Sequence, residues 1–239
     1  MLVSEIIEQE IINRMDNVLG ALAFGEHDPE TGLQDVDFCN IKWLKLYLDR
    51  LLINGNPYQV KAVNGTVATI LVGDEPLIED EVFTLPLPMF LNGTLSNTKW
   101  EWNKYVDPTT KVNSERDKLP FIWLVSPTEE RVDSYDKGSG VTVAAKLWFV
   151  HWSDWSKLNI DRQDEAIKPL IALQKEFIAT MLRFSYIFDG SSLDYSRRDF
   201  PKFGTENENG IDKAMFDSSL SAIELDANFK VFGKYCEIC

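Results

Sequence analysis

The segment that most constrains the fold is 58–72, where two runs rich in β-branched residues flank Asn64-Gly65. An Asn-Gly pair suits a type I′ turn because both central residues of that turn need positive φ. The twist of this turn also matches the twist of the two strands that it joins. We therefore predict a β-hairpin over residues 58–72.

Three later segments have the character of strands. Residues 119–125 form an apolar run bounded by Pro120 and Pro127, which is typical of a buried strand. Residues 141–150 combine β-branched and aromatic side chains, with one face made of Val141, Val143, Ala145, Leu147 and Phe149. Residues 222–232 alternate strictly, which predicts a half-buried strand whose wet face carries Ala222, Glu224, Asp226, Asn228 and Lys230.

Two segments have the periodicity of amphipathic helices. Apolar residues recur at i, i+3 and i+4 spacing over 3–22, which predicts an N-terminal helix within residues 1–28 that Gly25 and Asp28-Pro29 end. Residues 161–187 carry a second apolar stripe. Because Pro169 lies inside this stripe, we expect a kink there, or a restart that puts Pro169 near a first turn.

The other segments are harder to assign. Residues 36–54 fit either a helix or a strand, and the prolines of 73–90 predict short extended pieces. Residues 92–118 are either a short helix within a loop or a protruding arm. Residues 189–219, rich in Gly, Ser, Asn and Asp, predict a long irregular connection that could also protrude.

The order of the predicted elements is helix, hairpin, strand, strand, helix, strand. This order indicates the α+β class, with an antiparallel or mixed β-sheet, helices packed on one face and long irregular arms. Since no composition break marks a boundary, we predict a single domain over residues 1–239.

The charge and the cysteines limit the function classes. The chain has 24 Lys and Arg against 38 Asp and Glu, a net charge of −14, which argues against a basic nucleic-acid-binding face. The start of the chain does not resemble a signal peptide, and no apolar run approaches the length of a membrane span, so we expect no membrane association. Three cysteines are too few for a disulfide framework and indicate a reducing compartment at assembly.

The sequence offers few candidates for a metal site. Cys236 and Cys239 have the spacing of a zinc half-site, but a structural zinc needs about four ligands. The third sulfur, Cys39, and the two histidines, His27 and His151, are distant in sequence. We interpret Cys236 and Cys239 as terminal thiols and predict no metal and no cofactor.

Candidates for catalysis are equally sparse. His151 and Asp154 could be half of a catalytic relay, but no Gly-x-Ser-x-Gly motif accompanies them. The acidic clusters Glu79-Asp80-Glu81 and Glu129-Glu130 have no glycine pattern or histidine nearby, so we interpret them as solvated acidic faces. We predict no catalytic residues and no enzymatic activity.

Tryptophans provide the remaining candidates. Trp148, Trp152 and Trp155 could form a second core layer, a protein interface, where Trp is enriched, or a platform on which sugars stack. Segment 92–118 adds further exposed aromatic candidates. The candidate interface residues are Trp100, Trp102, Tyr105, Trp152 and Trp155.

From about residue 86 to the end, the order of features resembles a group of virion proteins from phages of Bacteroidetes hosts (crAss-like phages), encoded among head–tail and tail genes. The resemblance is carried by 118–125, by the strand 141–150 running into 152–155, by Ile167-Lys-Pro-Leu170 with its helix, and by 221–225. Ser221 stands where Asp is usual in that group. The match covers a little over half of the chain and leaves out its N-terminal third.

The resemblance implies a tail-completion, tail-terminator or neck-ring protein that is assembled in the host cytoplasm and found in the virion. It implies a homo-oligomeric ring of six or twelve subunits that contacts neighbouring neck or tail proteins or the portal. DNA would pass nearby without specific binding, and a negative surface suits that passage. The alternatives are a non-catalytic module that binds carbohydrate or a host surface, and a metal-dependent hydrolase.

Overall fold

The computed structural model describes residues 2–94, 118–125, 128–132, 140–208, 211–214 and 219–232. The chain divides into two compact units. Asp16–Leu87 forms the first, which we call the barrel unit, and Met1–Met15 with Pro88–Cys239 forms the second, the sheet–helix unit. The sequence has no composition break at either junction, which is why it pointed to a single domain over 1–239. Strands and helices together confirm the α+β class.

In the barrel unit, all of whose residues are described, seven strands form one antiparallel sheet. The strands are β1 Val18–Leu19, β2 Ala21–Phe24, β3 Leu33–Phe38, β4 Leu51–Ile53, β5 Asn56–Asn64, β6 Val67–Leu71 and β7 Phe83–Thr84. Their order across the sheet is β1-β7-β4-β5-β6-β3-β2.

This sheet closes into a barrel because its two end strands belong to one stretch of chain. Gly20 alone separates β1 from β2, and these strands pair with β7 and β3, respectively. The Cys39 N–H donates a hydrogen bond of 2.9 Å to the Gly20 carbonyl. Gly20 also has little space around it, because a Cβ there would lie 3.0 Å from the Cys39 Sγ. This connection joins the two ends of the sheet through one continuous stretch of chain.

The predicted hairpin over 58–72 is confirmed as β5 and β6, but its turn lies one residue later than expected. Asn64 pairs with Val67, so Gly65 and Thr66 form the loop and only Gly65 has positive φ, at 62°. A turn of the expected type I′ kind lies at Asn54-Gly55, between β4 and β5, where the φ angles are 50° and 83°. Both turns use a residue that tolerates positive φ.

The ambiguous segment 36–54 is neither one helix nor one strand. It holds the end of β3, a 3₁₀ turn at Leu44–Leu46, and β4. Its large side chains fill the barrel: Trp43 and Tyr47 are fully buried, and Phe38 meets Phe83 edge-on with ring centroids 5.2 Å apart. Burial raises the pKa of the Tyr47 hydroxyl well above its usual range.

The described residues of the sheet–helix unit contain a second sheet of six strands. These strands are β8 Met89–Gly93, β9 Phe121–Val125, β10 Glu129–Val132, β11 Gly140–Trp152, β12 Phe188–Phe203 and β15 Leu220–Phe232, and the small hairpin of β13 Thr205–Glu208 and β14 Ile211–Ala214 follows β12. The order across the sheet is β12-β15-β11-β9-β8, with β10 paired to β11. β8 and β9 are parallel and the other pairs are antiparallel, so the sheet is mixed. The three strands predicted from the sequence are β9, β11 and β15.

The N-terminal helix is shorter than predicted. Helix α1 comprises an α-helical turn at Val3–Ile6, a π-helical turn at Ile7–Ile11 and a 3₁₀ turn at Ile12–Arg14. The prediction of a helix within 1–28 is therefore wrong beyond residue 14, where the chain continues into β1 and β2. The apolar residues there fit a helical period, but pairing with β7 and β3 uses them as strand residues.

The second predicted helix is confirmed with shifted ends. Helix α2 comprises Asn159–Arg162, a π-helical turn at Gln163–Ile167 and the α-helix Lys168–Arg183. Pro169 lies in the first turn of that last part, as expected for a restart. The helix covers one face of the large sheet, which we call the inner face, and there Phe177 meets Phe149 edge-on at 5.5 Å.

The opposite face of the large sheet, which we call the outer face, is shielded from solvent at one end. Ala222 is buried and Glu224 is 4% exposed, whereas Asp226 and Asn228 are exposed, so the prediction of a wet face along β15 is wrong for its first half. A second apolar cluster covers this end. Its buried members are Leu91, Leu119, Phe121, Trp123, Val150, Phe203, Leu220 and Ala222.

The prediction of an irregular arm over 189–219 is wrong for most of that segment. β12 is a 16-residue strand that pairs with β15, with register shifts between Asp189 and Asp194 and between Phe200 and Phe203. It lies at the edge of the sheet, and residues 194–199 are exposed on both faces. Such a strand needs no apolar alternation, so its polar composition misled the prediction. For the other predicted arm, 92–118, residues 95–117 lie outside the described residues.

Candidate assembly interface on the sheet–helix unit

The three tryptophans near the end of β11 have three different environments. Trp148 belongs to the outer-face core, with its ring centroid 4.8 Å from that of Phe200 and 4.7 Å from that of Phe203. Trp155 is partly buried, whereas Trp152 is 48% exposed. Trp100, Trp102 and Tyr105 lie outside the described residues.

Trp155 holds the connection between β11 and α2 against the sheet. Its indole N–H donates a hydrogen bond of 3.1 Å to the Leu220 carbonyl at the start of β15. Arg162, in the first turn of α2, donates from Nη1 to the carbonyls of Trp155 (3.0 Å) and Lys157 (2.9 Å). The Lys202 ammonium lies 5.9 Å from the centre of the Trp155 ring. These contacts fix the path of the loop from both of its ends.

Asp154 shapes the turn inside this connection. Its Oδ1 accepts hydrogen bonds from the Ser156 hydroxyl at 2.6 Å and from the Ser156 N–H at 2.9 Å. These bonds, the hydroxyl first, hold the pKa of the Asp154 carboxyl below its usual value. Lys157 donates to both carboxylate oxygens of Glu165, at 2.7 and 2.9 Å, and this bond raises the pKa of the Lys157 ammonium.

The ordered connection carries exposed apolar side chains. Trp152 is 48%, Leu158 72% and Ile160 68% exposed, and all three lie within nine positions of one another in the chain. We call these three residues the loop patch. Trp152 ends β11, Leu158 lies on the connection and Ile160 lies in the first turn of α2. Exposed apolar side chains grouped around one connection are typical of a surface that contacts another protein.

The far end of α2 carries a different exposed pair, Leu182 and Tyr186, each 46% exposed, which we call the helix-end patch. Arg14 of α1 donates from Nη1 to the Tyr186 hydroxyl at 3.0 Å and lies over the Phe184 ring at 5.0 Å. Arg14 also pairs with Glu10 at 2.8 Å. The helix-end patch is therefore held in place by α1.

The residues considered for chemistry lie apart from one another in the fold. The Glu81 carboxylate accepts a hydrogen bond of 2.9 Å from the Asn54 side chain, which also accepts from the Val82 N–H at 3.0 Å. His151 lies in β11 opposite Ser221. Among the described residues, no group of three or more His, Cys, Asp and Glu side chains is arranged to hold a metal ion. Cys39 is exposed, whereas Cys236 and Cys239 lie outside the described residues.

Acidic residues concentrate in the barrel unit. Its residues 16–87 include twelve Asp and Glu but only four Lys and Arg. This unit therefore carries eight of the fourteen net negative charges of the chain. Several of the carboxylates lie on two neighbouring loops, which a hydrogen bond of 2.8 Å between the His27 Nε2 and the Gly73 carbonyl joins.

Comparison with protein-family models finds no match, and comparison with curated proteins finds no significantly similar sequence. Within the described part of the chain, no helix has both the length and the apolar character that a membrane crossing requires.

Sequence reasoning identified Trp152 and Trp155 but missed Leu158 and Ile160. The relevant signal is their position: both stand before the apolar stripe of α2, whose first buried residues are Ala166 and Ile167. Apolar residues at a helix start that fall outside the buried stripe have no place in the core. The helix-end patch likewise consists of exposed apolar residues, at the other end of α2.

Proposed function

We propose that the protein is a non-catalytic structural subunit of a bacteriophage virion, part of a head–tail connector or tail-completion ring around the DNA channel. The observation that carries the proposal is the presence of two different exposed apolar patches at opposite ends of α2. The loop patch contains Trp152, Leu158 and Ile160, and the helix-end patch contains Leu182 and Tyr186.

A closed ring needs two different contact surfaces on each subunit. In a cyclic ring each subunit uses one surface toward the preceding copy and a different one toward the next. Ile160 and Leu182 are separated by roughly 33 Å along the helix, given a rise of about 1.5 Å per residue. The patches are therefore far enough apart to contact two different neighbours. The helix and the sheet between them provide a stiff spacer.

The resemblance to phage virion proteins supports the same proposal. The segments that carry it are β9, β11, the beginning of Lys168–Arg183 and β15, and the three strands are direct neighbours in the large sheet. The resemblance begins near residue 86, and the second part of the sheet–helix unit begins at Pro88. The matching features therefore belong to one structural unit.

The charge distribution fits a surface past which DNA moves. The barrel unit has twelve acidic and four basic residues, so it repels phosphate. In this role the ring would contact neighbouring neck or tail proteins or the portal. The ring would assemble in the host cytoplasm and remain in the virion.

A carbohydrate- or host-surface-binding module has less support. Such a platform needs aromatic faces open to solvent, but Trp148 is packed between phenylalanines and the Trp155 indole bonds to Leu220. Trp152 is then left as the exposed aromatic residue of this group. A glycan array that binds the protein through Trp152 would favour this alternative.

Mass photometry of the purified protein tests the ring. We expect particles of six or twelve times the chain mass of 27.4 kDa, and we expect the protein in purified virions. Leu158→Asp should abolish the ring, because a carboxylate would be buried in the contact. Leu22→Asp is the matched control, since Leu22 is 68% exposed but lies in the barrel unit. A strictly monomeric protein that is absent from virions would contradict the proposal.

A further inference from the structure

The edge strand β12 presents an unusual surface. Six consecutive residues, from Asp194 to Asp199, are exposed, although β15 beside them is largely buried. Tyr195 and Arg197 stand opposite Ala227 and Leu225, which are buried on the inner face, yet Tyr195 is 50% exposed. Among the described strands, none pairs with the outer side of β12. The row of backbone donors and acceptors there can accept another strand.

We propose that β12 pairs antiparallel with β12 of a second copy of this chain, about a two-fold axis at Ser196. The two large sheets then join into one continuous sheet. This inference does not rest on the proposed function, because it uses neither the loop patch nor the helix-end patch.

Symmetry restricts the possible registers. A two-fold axis that relates two antiparallel edge strands runs perpendicular to the sheet, so it leaves each side chain on its own face. Residues that face each other across the axis must therefore have the same parity in the chain. Within the exposed run, the axis can pass through any one of the six residues, but not between two residues.

The charges select one of these registers. With the axis at Asp194, Arg197, Arg198 or Asp199, two like charges face each other, which is unfavourable. With the axis at Tyr195, Asp194 faces Ser196, and no opposite charges meet. With the axis at Ser196, Asp194 faces Arg198 of the second copy, Arg198 faces Asp194, and Tyr195 faces Arg197. Among the registers without facing like charges, only the axis at Ser196 pairs opposite charges directly, and it does so twice.

The neighbouring strand extends this pattern on the outer face. Arg198 stands opposite Glu224 of β15, and Glu224 is bridged by Lys146 of β11 at 3.3 Å. In the proposed pair, the row across the junction reads Glu224, Arg198 and then Asp194 of the second copy. Opposite charges therefore alternate across the contact. A strand of another protein that lacks this spacing of charges would not place opposite charges beside Arg198 and Asp194.

Pairing about a two-fold axis closes with two chains. It therefore joins free chains, or two rings back to back, and is a different contact from the one between neighbours within a ring. In the free protein it covers the long edge strand that would otherwise be open to uncontrolled strand addition.

Charge reversal tests the register, and analytical ultracentrifugation of the full chain in the Leu158→Asp background keeps ring contacts out of the measurement. We expect this background protein to form a dimer. Arg198→Asp and Asp194→Arg should each weaken the dimer about tenfold, because like charges then face each other twice. An equimolar mixture of the two single variants should form a one-to-one heterodimer, since each Asp again faces an Arg. Lys175→Asp, on the exposed side of α2, is the charge-matched control and should leave the dimer unchanged.

A crosslink tests the position of the axis. In a chain with Cys39, Cys236 and Cys239 replaced by serine, Ser196→Cys should form an intermolecular disulfide on mild oxidation, because each copy of residue 196 faces the other. Tyr195→Cys should form it much more slowly, since residue 195 faces 197. A background protein that stays monomeric, a mixture that fails to pair, or equal crosslinking at 195 and 196 would each overturn the proposal.

Discussion

The two units handle the edges of their sheets in opposite ways. The barrel unit closes at Gly20, where its two end strands meet, and its surface carries twelve acidic residues together with exposed apolar side chains such as Leu22 and Ile78. The sheet–helix unit leaves its sheet open and ends it with the sixteen-residue strand β12. Closure removes backbone pairing as a means of contact, whereas an open edge offers it. We infer that strand pairing between copies involves the sheet–helix unit, and that the barrel unit contributes most of the net negative charge.

The largest expected effect comes from truncating a buried side chain in the hydrophobic core of each unit. Phe149→Ala, in β11, should reduce the free energy of unfolding of the sheet–helix unit by about 3–5 kcal/mol, because a fully buried ring is replaced by a cavity. Phe38→Ala should act similarly on the barrel unit. Amide hydrogen exchange measures the loss for each unit in the intact chain. Equal loss of protection in both units for either variant would show that they unfold together.

A smaller effect concerns Gln34, whose side chain connects two loops of the barrel unit by hydrogen bonds. Gln34 is buried, and its side chain donates to the Gly25 carbonyl at 3.1 Å and accepts from the Leu77 N–H at 2.7 Å. Gln34→Leu should cost about 1–3 kcal/mol, because the Leu77 N–H loses its partner. Denaturant unfolding measures this cost. Gln59→Leu, at an exposed position, should change stability by less than about 0.5 kcal/mol.

Salt provides a test of the charge difference between the units. Raising the ionic strength screens repulsion among the twelve acidic residues of the barrel unit. The barrel should become more stable by less than about 1 kcal/mol, and by more than the sheet–helix unit does. Hydrogen exchange at low and high sodium chloride measures both changes in one sample. A larger gain in the sheet–helix unit would reverse the comparison.

The smallest expected effect compares one hydrogen-bonded aspartate in each unit. Hydrogen bonds from Thr31 and Ser156 lower the pKa of Asp28 and Asp154, respectively. Because the folded pKa lies below the unfolded one, this stabilisation is present above the ordinary value of 3.8 and is lost as the pH falls through the folded pKa. NMR titration should show the pKa of Asp28 rising in Thr31→Ala and that of Asp154 rising in Ser156→Ala, with each variant leaving the other carboxyl unchanged.

Sequence reasoning predicted the elements whose signal is local. β9, β11 and β15 have apolar runs or alternation, the Asn-Gly pair marks the β5–β6 hairpin, and Pro169 marks the restart of α2. Each of these signals lies within a few residues of the structure that it predicts.

The missed features depend on partners distant in sequence. Val18, Leu19 and Leu22 keep helical spacing, and only pairing with β7 and β3 makes them strand residues. β12 has no alternation because both of its faces are exposed, so only its pairing with β15 identifies it as a strand. For the candidate site, the aromatic signal identified Trp152, whereas the exposure of Leu158 and Ile160 depends on where the stripe of α2 meets the sheet.

The barrel unit interrupts the chain of the sheet–helix unit, and this has a consequence during synthesis. Residues 16–87 leave the ribosome as a continuous stretch that contains every strand of the barrel, so the barrel can close early. Helix α1 is made first, but the helix and sheet of its own unit follow only after residue 87. At about 5–20 residues per second, the strand β15 is completed roughly 7–30 s after the barrel. Through that interval, the apolar side of α1 lacks the helix α2 that it contacts in the folded unit.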